Sequence, residues 1–153
     1  DWILKKKVCG VANGKAEFGP RALGNRSLLG DVRYDIKRTV NRIKRRQNFR
    51  PFAPAILSEY ADEYFEGPMN RYMQFVAQAK HDYSSVTHVD NSARVQLVTP
   101  ECKTVLRPIL EEYYERTGVP MLLNTSLNIK GQPIVDNWQH AMDFQKMYGV
   151  KVF

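Results

Sequence analysis

Short apolar runs bounded by turn residues mark the strands that this sequence predicts. Residues 8–12 are apolar and lead into a turn at Asn13-Gly14, while residues 55–57 and 121–123 form apolar runs typical of buried strands. Residues 93–98 alternate apolar and polar side chains, which places Arg94 opposite the apolar face. Two weaker strand predictions complete the set, residues 72–79 and residues 150–153.

Helical spacing of apolar residues predicts the other elements. Ile36, Val40 and Ile43 recur at intervals of three and four, so we expect a helix over residues 34–46, capped by Asp31 or Asp35. The remaining helix predictions are one opened by Ser58, one over residues 104–117 ended by Gly118, and one opened by Asp136 and Gln139 and ended by Gly149. Because strands and helices alternate, the expected fold class is α/β, with an ordered loop over residues 17–27.

Length and composition favour a single cytoplasmic domain. The chain has 153 residues and is 43% hydrophobic, and it contains no apolar run near the roughly 20 residues that cross a bilayer. Its first residues place lysines after the apolar positions, the reverse of a secretory signal. The three histidines show no metal-ligand spacing, so we predict no tightly held transition metal.

Positive charge is concentrated in one segment. Residues 33–50 contain eight Lys and Arg residues and one Asp, a net charge of +7 that equals the charge of the whole chain. Such a field attracts phosphate groups, either on a small ligand or on nucleic acid. The alternative is a solvated helix face without a ligand.

Four segments combine polar groups with backbone suited to ligand binding. They are residues 19–27, with Arg21 and Arg26; residues 44–54, with Lys44 and Arg50; residues 87–96, with His88 and Arg94; and residues 122–128, with Asn124 and Ser126. Guanidinium groups match phosphate or carboxylate oxygens, and the amides and hydroxyls match phosphate, ribose or a small amide. Turn, cap and surface ion-pair duties are the alternatives. For His88, beside Asp90, a local hydrogen bond is the simpler reading.

Several catalytic motifs are absent from the sequence. It contains no GxxxxGK[ST] loop, no GxGxxG and no GxSxG elbow. A reaction that depends on positioning and charge neutralisation therefore fits these residues better than covalent catalysis does.

The four segments together resemble the carboxy-terminal domain of the O-carbamoyltransferases, which act on nodulation factors, cephamycins and aminoglycosides. The resemblance rests on EFGPRALGNRS at residues 17–27, FRPFAP at residues 49–54, THVD with ARVQ at residues 87–96, and LLNTS at residues 122–126. It implies a twisted open mixed sheet with flanking helices, like that of threonylcarbamoyl-adenylate synthase. It also implies formation of carbamoyl-adenylate from ATP and carbamoyl phosphate, with Mg²⁺ expected alongside ATP.

The resemblance also assigns site residues and a partner. Matching positions imply ligand binding by Arg21, Lys44, Arg50, Arg94, Asn124 and Ser126. The four cations of this set, Arg21, Lys44, Arg50 and Arg94, are the predicted catalytic residues, and we add Arg26 and His88 from the same segments as substrate or nucleotide contacts. A larger amino-terminal domain with the actin-like ATPase fold is expected to transfer the carbamoyl group, and nothing in this chain matches it. The chain departs from the family at Gln47-Asn48, Asn91-Ser92 and Leu127, while the charged positions match.

Two alternative functions remain open at this point. The basic segment with Phe49 and Phe52 suits a module that binds RNA or another nucleic acid. A domain that only docks a partner subunit is the third hypothesis.

Overall fold

In the computed structural model, which describes residues 1–17 and 19–153, a five-stranded sheet and a three-stranded sheet are flanked by helices. The strands are β1 Val8–Ala12, β2 Arg26–Gly30, β3 Ala53–Leu57, β4 Phe65–Glu66, β5 Ala77–Ala79, β6 Ser92–Ala93, β7 Gln96–Val98 and β8 Met121–Ser126. The helices are α1 Trp2–Lys6, α2 Lys37–Ile43, α3 Ala61–Tyr64, α4 Leu106–Thr117 and α5 Trp138–Tyr148, with a 3-10 turn at Ser58–Tyr60.

The larger sheet is mixed and open. Its strand order is β1-β2-β8-β3-β7, with antiparallel neighbours except for the parallel pair β3 and β7. The smaller sheet, β4-β5-β6, is antiparallel. The α/β prediction is therefore confirmed, as is the open mixed sheet with flanking helices. The closer likeness to threonylcarbamoyl-adenylate synthase stays a prediction.

Two hydrophobic clusters cover the two faces of the larger sheet. Leu29, Leu122 and Val98 on one face pack with α4, whose buried residues Leu106 and Leu110 are four apart. The opposite face packs against α2, α5 and the smaller sheet. Strands buried on both faces explain the continuous apolar runs in the sequence.

The strand β2 was not predicted, because the expected loop over residues 17–27 included its first two residues. Ser27 is fully buried and Arg26 nearly so, although both are polar. Their polarity gives no strand pattern in the sequence, yet they begin a strand that continues through Leu28 and Leu29. β2 pairs with β1 on one side and β8 on the other, so it is central to the sheet.

The predicted strand over residues 93–98 is broken into two. Ser92–Ala93 belongs to the smaller sheet and Gln96–Val98 to the larger one. Gln96 is buried while Leu97 is partly exposed, which reverses the expected alternation after the break. Of the strand predicted over residues 72–79, only Ala77–Ala79 forms, and residues 150–153 contribute a single bridge between Val152 and Gly10.

The predicted helix ends were right at the glycines and wrong at the caps. Gly118 and Gly149 have φ of 70° and 66°, the left-handed geometry that ends a helix. Asp31 does not cap α2, because its carboxylate binds Arg33 and the Tyr113 hydroxyl instead. Neither Ser58 nor Asp136 caps its helix, and Asn137 accepts the hydrogen bond from His140 N at the start of α5.

No helix in the described residues is long and apolar enough to cross a membrane. Among the same residues, no group of three or more His, Cys, Asp or Glu side chains is arranged to hold a metal ion.

Candidate functional site

Two adjoining cavities open beside the carboxyl end of β8. The inner cavity, of about 150 Å³, is lined by Arg21, Arg46, Phe52, Asn124, Thr125 and Ser126 among others. The outer cavity, of about 410 Å³, is lined by Gly19, Arg21, Leu23, Tyr72, Gln74 and Arg94 among others. Arg21 lines both, as do Pro20 and Met73, so the two cavities share a wall.

Asn124 is the most buried polar residue of the inner cavity. Its Nδ2 donates to the carbonyl of Ala22 at 3.0 Å and to Oε1 of Gln96 at 2.7 Å. Its Oδ1 is buried and has no hydrogen-bond partner within the described part of the chain. Because a buried acceptor without a donor is unfavourable, this oxygen is suited to a ligand N–H or O–H group.

The loop that carries Arg21 is fixed by Glu17. Its Oε1 accepts hydrogen bonds from the backbone N–H groups of Leu23 and Asn25. The same loop is tied to the sheet through the bond from Asn124 to Ala22, and Gly24 at φ 126° approaches Thr104 too closely for any side chain. These contacts hold the Arg21 backbone while its side chain stays exposed.

Lys44 lies beneath the inner cavity, following the last turn of α2. Its Nζ donates to the backbone oxygen of Ser126 and, at 3.0 and 2.9 Å, to the backbone oxygen and Oδ1 of Asn128. The Ser126 hydroxyl donates to the same Oδ1 at 2.6 Å. Burial, followed by the charge of Arg46, lowers the pKa of Lys44 to about 7. The Lys44 side chain binds the end of β8 and is not among the residues that line either cavity.

Arg46 supplies the guanidinium that lines the inner cavity in this segment. Its Nε donates to Oδ1 of Asn41 at 2.6 Å and its Nη2 to the carbonyl of Pro51 at 3.0 Å. Nη1 has no hydrogen-bond partner among residues 1–17 and 19–153. Burial, followed by the charge of Arg50, lowers the pKa of Arg46 to about 10. A ligand anion would favour its charged form.

The four predicted cations are brought together only in part. Arg21 and Arg94 line the outer cavity, and Lys44 supports Ser126 under the inner one. Arg50 is exposed and outside both linings, next to Arg46, while its carbonyl accepts a bond from Asn41 at 2.9 Å. The expected role of Arg50 as a ligand contact stays a prediction, and its place in the cavity wall is taken by Arg46.

The Arg26 guanidinium is buried and hydrogen-bonded within the protein. Arg26 is 7% exposed, and its guanidinium donates to the carbonyls of Asn13, Gly14, Asn25 and Asp136. These bonds clamp the start of β2 to the segment before α5. We therefore leave Arg26 out of the proposed ligand contacts.

His88 lies on an exposed turn outside both cavities. Its backbone N–H donates to the carbonyl of Ser92 at 2.8 Å, and its carbonyl accepts from Asn91 N. Asp90 binds Ser92 N and Oγ, and these bonds lower the pKa of its carboxyl. Asp90 therefore serves the turn, and the geometry gives His88 no contact with the site.

Neither cavity is lined by a carboxylate in the part of the chain that the structure describes. Magnesium in proteins is commonly held by one or two carboxylates together with substrate phosphates. The lining therefore does not fit a Mg²⁺ ion held by the protein alone. The side chains instead match an anionic ligand that also carries hydrogen-bonding groups.

Three contributors to the site were missed in the sequence. Arg46 stands two residues after Lys44 and was counted only as part of the basic segment. Gln96 was placed on a polar strand face, although its burial follows from the bond to Asn124. Met73 has a left-handed φ of 56° that no sequence pattern indicates.

Comparison with known proteins gives several nodulation proteins that are similar to this chain. Nodulation protein NolNO of Sinorhizobium fredii (strain NBRC 101917 / NGR234) is 44% identical over 152 residues, which cover 93% of this chain and 22% of NolNO. Nodulation protein NolO of Bradyrhizobium diazoefficiens is 40% identical over 152 residues, or 93% of this chain and 28% of NolO. Nodulation protein U of Rhizobium tropici is 38% identical over 125 residues, or 78% of this chain and 22% of that protein.

The chain thus spans between 22% and 28% of the length of these relatives. The family described as Carbamoyltransferase C-terminus matches residues 1–153, which is the whole chain. The resemblance to the carboxy-terminal domain of the O-carbamoyltransferases is thereby confirmed, and the chain belongs to the carbamoyltransferase C-terminus family.

Proposed function

We propose that this domain binds ATP and carbamoyl phosphate and forms carbamoyl-adenylate and pyrophosphate, as part of an O-carbamoyltransferase. The observation that carries the proposal is the shared position of Arg21 between two cavities lined by guanidinium, amide and hydroxyl groups. A reaction between two phosphate-bearing substrates needs adjoining anion sites, and family membership supplies the carbamoyl chemistry.

The reaction balances in two steps. Hydrolysis of carbamoyl phosphate releases inorganic phosphate and leaves carbamate. A carbamate oxygen then forms a bond to the α-phosphorus of ATP, while the bond from that phosphorus to the bridging oxygen of pyrophosphate breaks. Such a displacement depends on alignment and charge neutralisation more than on a protein nucleophile.

The side chains of the inner cavity suit the carbamoyl end of the intermediate. The unpartnered Oδ1 of Asn124 accepts from the carbamoyl N–H₂ group, and Arg46 faces the developing charge through Nη1. Arg21, between the cavities, neutralises the phosphate that joins the two halves of the adenylate. Arg94 in the outer cavity holds the nucleotide.

Isotope exchange between pyrophosphate and ATP, dependent on carbamoyl phosphate, tests this proposal in the polypeptide that carries the domain. We expect Arg21→Ala to lower the exchange rate by about 100-fold or more, because it removes a donor to developing charge. Arg38→Ala is the matched control, since Arg38 is exposed on α2 and lines neither cavity. Absence of exchange in the unaltered protein would contradict the proposal.

A nucleic-acid-binding module is the second candidate, favoured by the exposed Arg38, Arg42, Arg45 and Arg50 with the exposed ring of Phe49. The other four cations of the basic segment are engaged within the protein: Arg33 pairs with Asp31, Lys37 donates to the carbonyl of Thr87 at 3.3 Å, and Lys44 and Arg46 are bound as described. Phe52 is buried and so is no stacking surface. The double variant of Arg38 and Arg42 to Ala would weaken RNA binding without changing pyrophosphate exchange.

A partner-docking role is favoured by an apolar groove of about 560 Å³ lined by Trp2, Ile3, Val11, Ile109 and Phe153 among others. The relatives are about four times as long as this chain, so the occupant we propose is another part of the same polypeptide, the larger transferase domain. Ile109→Glu should then separate the two parts in limited proteolysis. Unchanged proteolysis would remove this candidate.

We also propose a cytoplasmic location. Cys9 and Cys102 are both free thiols, as is usual where the redox poise is reducing.

A further inference from the structure

We propose that Tyr72 stacks on the nucleobase of the bound nucleotide and that Gln74 donates to a ring nitrogen of that base. This inference rests on the proposed function and names the base-binding wall of the outer cavity. Tyr72 and Gln74 both line that cavity, on the loop between β4 and β5, with Arg21 and Arg94 as its cationic members. In a nucleotide whose phosphates bind Arg21 and Arg94, the base would contact this loop.

The loop is built by Asn70. Its Oδ1 accepts hydrogen bonds from the backbone N–H groups of Tyr72 at 3.0 Å and Gln74 at 3.2 Å. Its carbonyl accepts from Leu97 N at 2.9 Å, which attaches the loop to the edge strand β7. The loop is therefore held in one shape, so that its exposed side chains are presented with little loss of freedom on binding.

The amide of Gln74 is oriented by the same asparagine. Nδ2 of Asn70 donates to Oε1 of Gln74 at 2.7 Å. The amide oxygen of Gln74 is therefore already hydrogen-bonded, whereas Nε2 of Gln74 has no hydrogen-bond partner in the described residues. Purine rings carry unprotonated nitrogens that accept hydrogen bonds, and Nε2 is a donor.

Met73 has a backbone shape that serves this presentation. Its φ of 56° is left-handed, which is uncommon for a residue with a side chain, and strain of this kind is concentrated at functional sites. The turn buries Met73 in the wall between the two cavities and leaves its neighbour Tyr72 56% exposed. An exposed aromatic ring beside cationic side chains is the arrangement with which proteins stack bases.

Tyr72 is distinguished from the other exposed aromatic of the loop by position. Phe75 is 47% exposed and lines neither cavity, whereas Tyr72 lines the outer one. Phe75→Ala is therefore a matched control that removes an exposed ring from the same loop.

Binding of ATP and of inorganic tripolyphosphate to the polypeptide that carries the domain tests the inference. Tyr72→Ala should weaken ATP binding about tenfold, while Tyr72→Phe and Phe75→Ala stay within about twofold of the unaltered protein. Binding of tripolyphosphate should be unchanged in all three variants, because it has no base. Gln74→Met keeps the length of the side chain but loses the Nε2 donors without adding charge, and should also weaken binding of ATP but not of tripolyphosphate.

Two results would overturn the inference without touching the proposed function. One is full ATP affinity in Tyr72→Ala together with loss of binding in Arg21→Ala. The other is equal weakening of ATP and tripolyphosphate in Tyr72→Ala, which would mean that the loop only shapes the phosphate site. If the unaltered protein binds neither ligand, the proposed function fails and the inference fails with it.

Discussion

Nδ2 of Asn124 donates to Oε1 of Gln96 across the intervening strand β3, joining β8 to β7. The bond is possible because β3 presents Ala53 opposite Asn124 and Ala55 opposite Gln96, so that only methyl groups lie between the two amides. This bond and the bond to the carbonyl of Ala22 together use both N–H groups of the Asn124 amide. The amide oxygen Oδ1 has no hydrogen-bond partner in the described residues.

Replacement of Asn124 by Ala should lower pyrophosphate exchange by about 100-fold, because it removes the proposed acceptor for the carbamoyl group and the hydrogen bond that ties Ala22 of the Arg21 loop to the sheet. Gln96→Met, which keeps the bulk but loses the bond to Asn124, should have a smaller effect. Exchange kinetics measured with thermal unfolding of each variant check the prediction. An Asn124→Ala protein that folds and exchanges at the normal rate would contradict it.

Loss of the Glu17 carboxylate should weaken nucleotide binding from a distance. Glu17→Ala leaves the N–H groups of Leu23 and Asn25 without their acceptor, and the freed loop must be ordered again when Arg21 meets its ligand. We expect about tenfold weaker ATP binding by calorimetry, whereas Glu17→Gln keeps an acceptor oxygen and should be milder. Equal affinities in the Ala variant and the unaltered protein would show that the loop needs no such anchor.

The Asp31 carboxylate should make stability depend on acid. Burial raises its pKa, but hydrogen bonds from Arg33 and Tyr113 outweigh burial and hold the pKa below the ordinary value of 3.8. The carboxylate therefore stabilises the fold above that value, and this contribution is lost as the pH falls through the lower folded pKa. Asp31→Asn should cost about 1–3 kcal/mol at pH 7 in urea unfolding, with a smaller difference from the unaltered protein in acid.

Nucleotide binding should be accompanied by proton uptake at Lys44. The folded pKa of about 7 lies below the ordinary lysine value of 10.5, so between these values the unfolded chain holds more protons and stability rises with pH. A nearby phosphate would raise the folded pKa, and at pH 8 up to about one proton should be taken up. Calorimetry in buffers of different ionisation enthalpy measures this uptake. The same uptake in Lys44→Met would assign it to another group.

The sequence predicted the elements whose pattern is local. Leu106 and Leu110 recur at helical spacing before Gly118, and residues 8–12 form an apolar run, so α4 and β1 were found. β2 was not, because the burial of Arg26 depends on the carbonyl of Asp136, which is 110 residues away in the chain.

The site shows the same division. The segments that hold Arg21, Arg94 and Asn124 were recognisable, and these residues do line the two cavities. The sequence did not indicate which cation of the basic segment faces the inner cavity. Lys44 binds the end of β8 instead, and Arg46 lines the cavity after Arg45, which has a left-handed φ of 53°. A left-handed conformation at one residue leaves no periodic signal in the sequence.

Because Arg21 lines both cavities, we expect binding of an anion in one cavity to affect binding in the other. The first anion to bind would neutralise part of the charge of Arg21, which lowers the affinity for the second anion. It would also fix the Arg21 rotamer, which raises that affinity, and the larger effect sets the sign of the change. By linkage the change is the same factor in either order of addition. Titration of each proposed substrate in the presence of the other should therefore report a single coupling constant, and we expect that coupling to depend on Arg21.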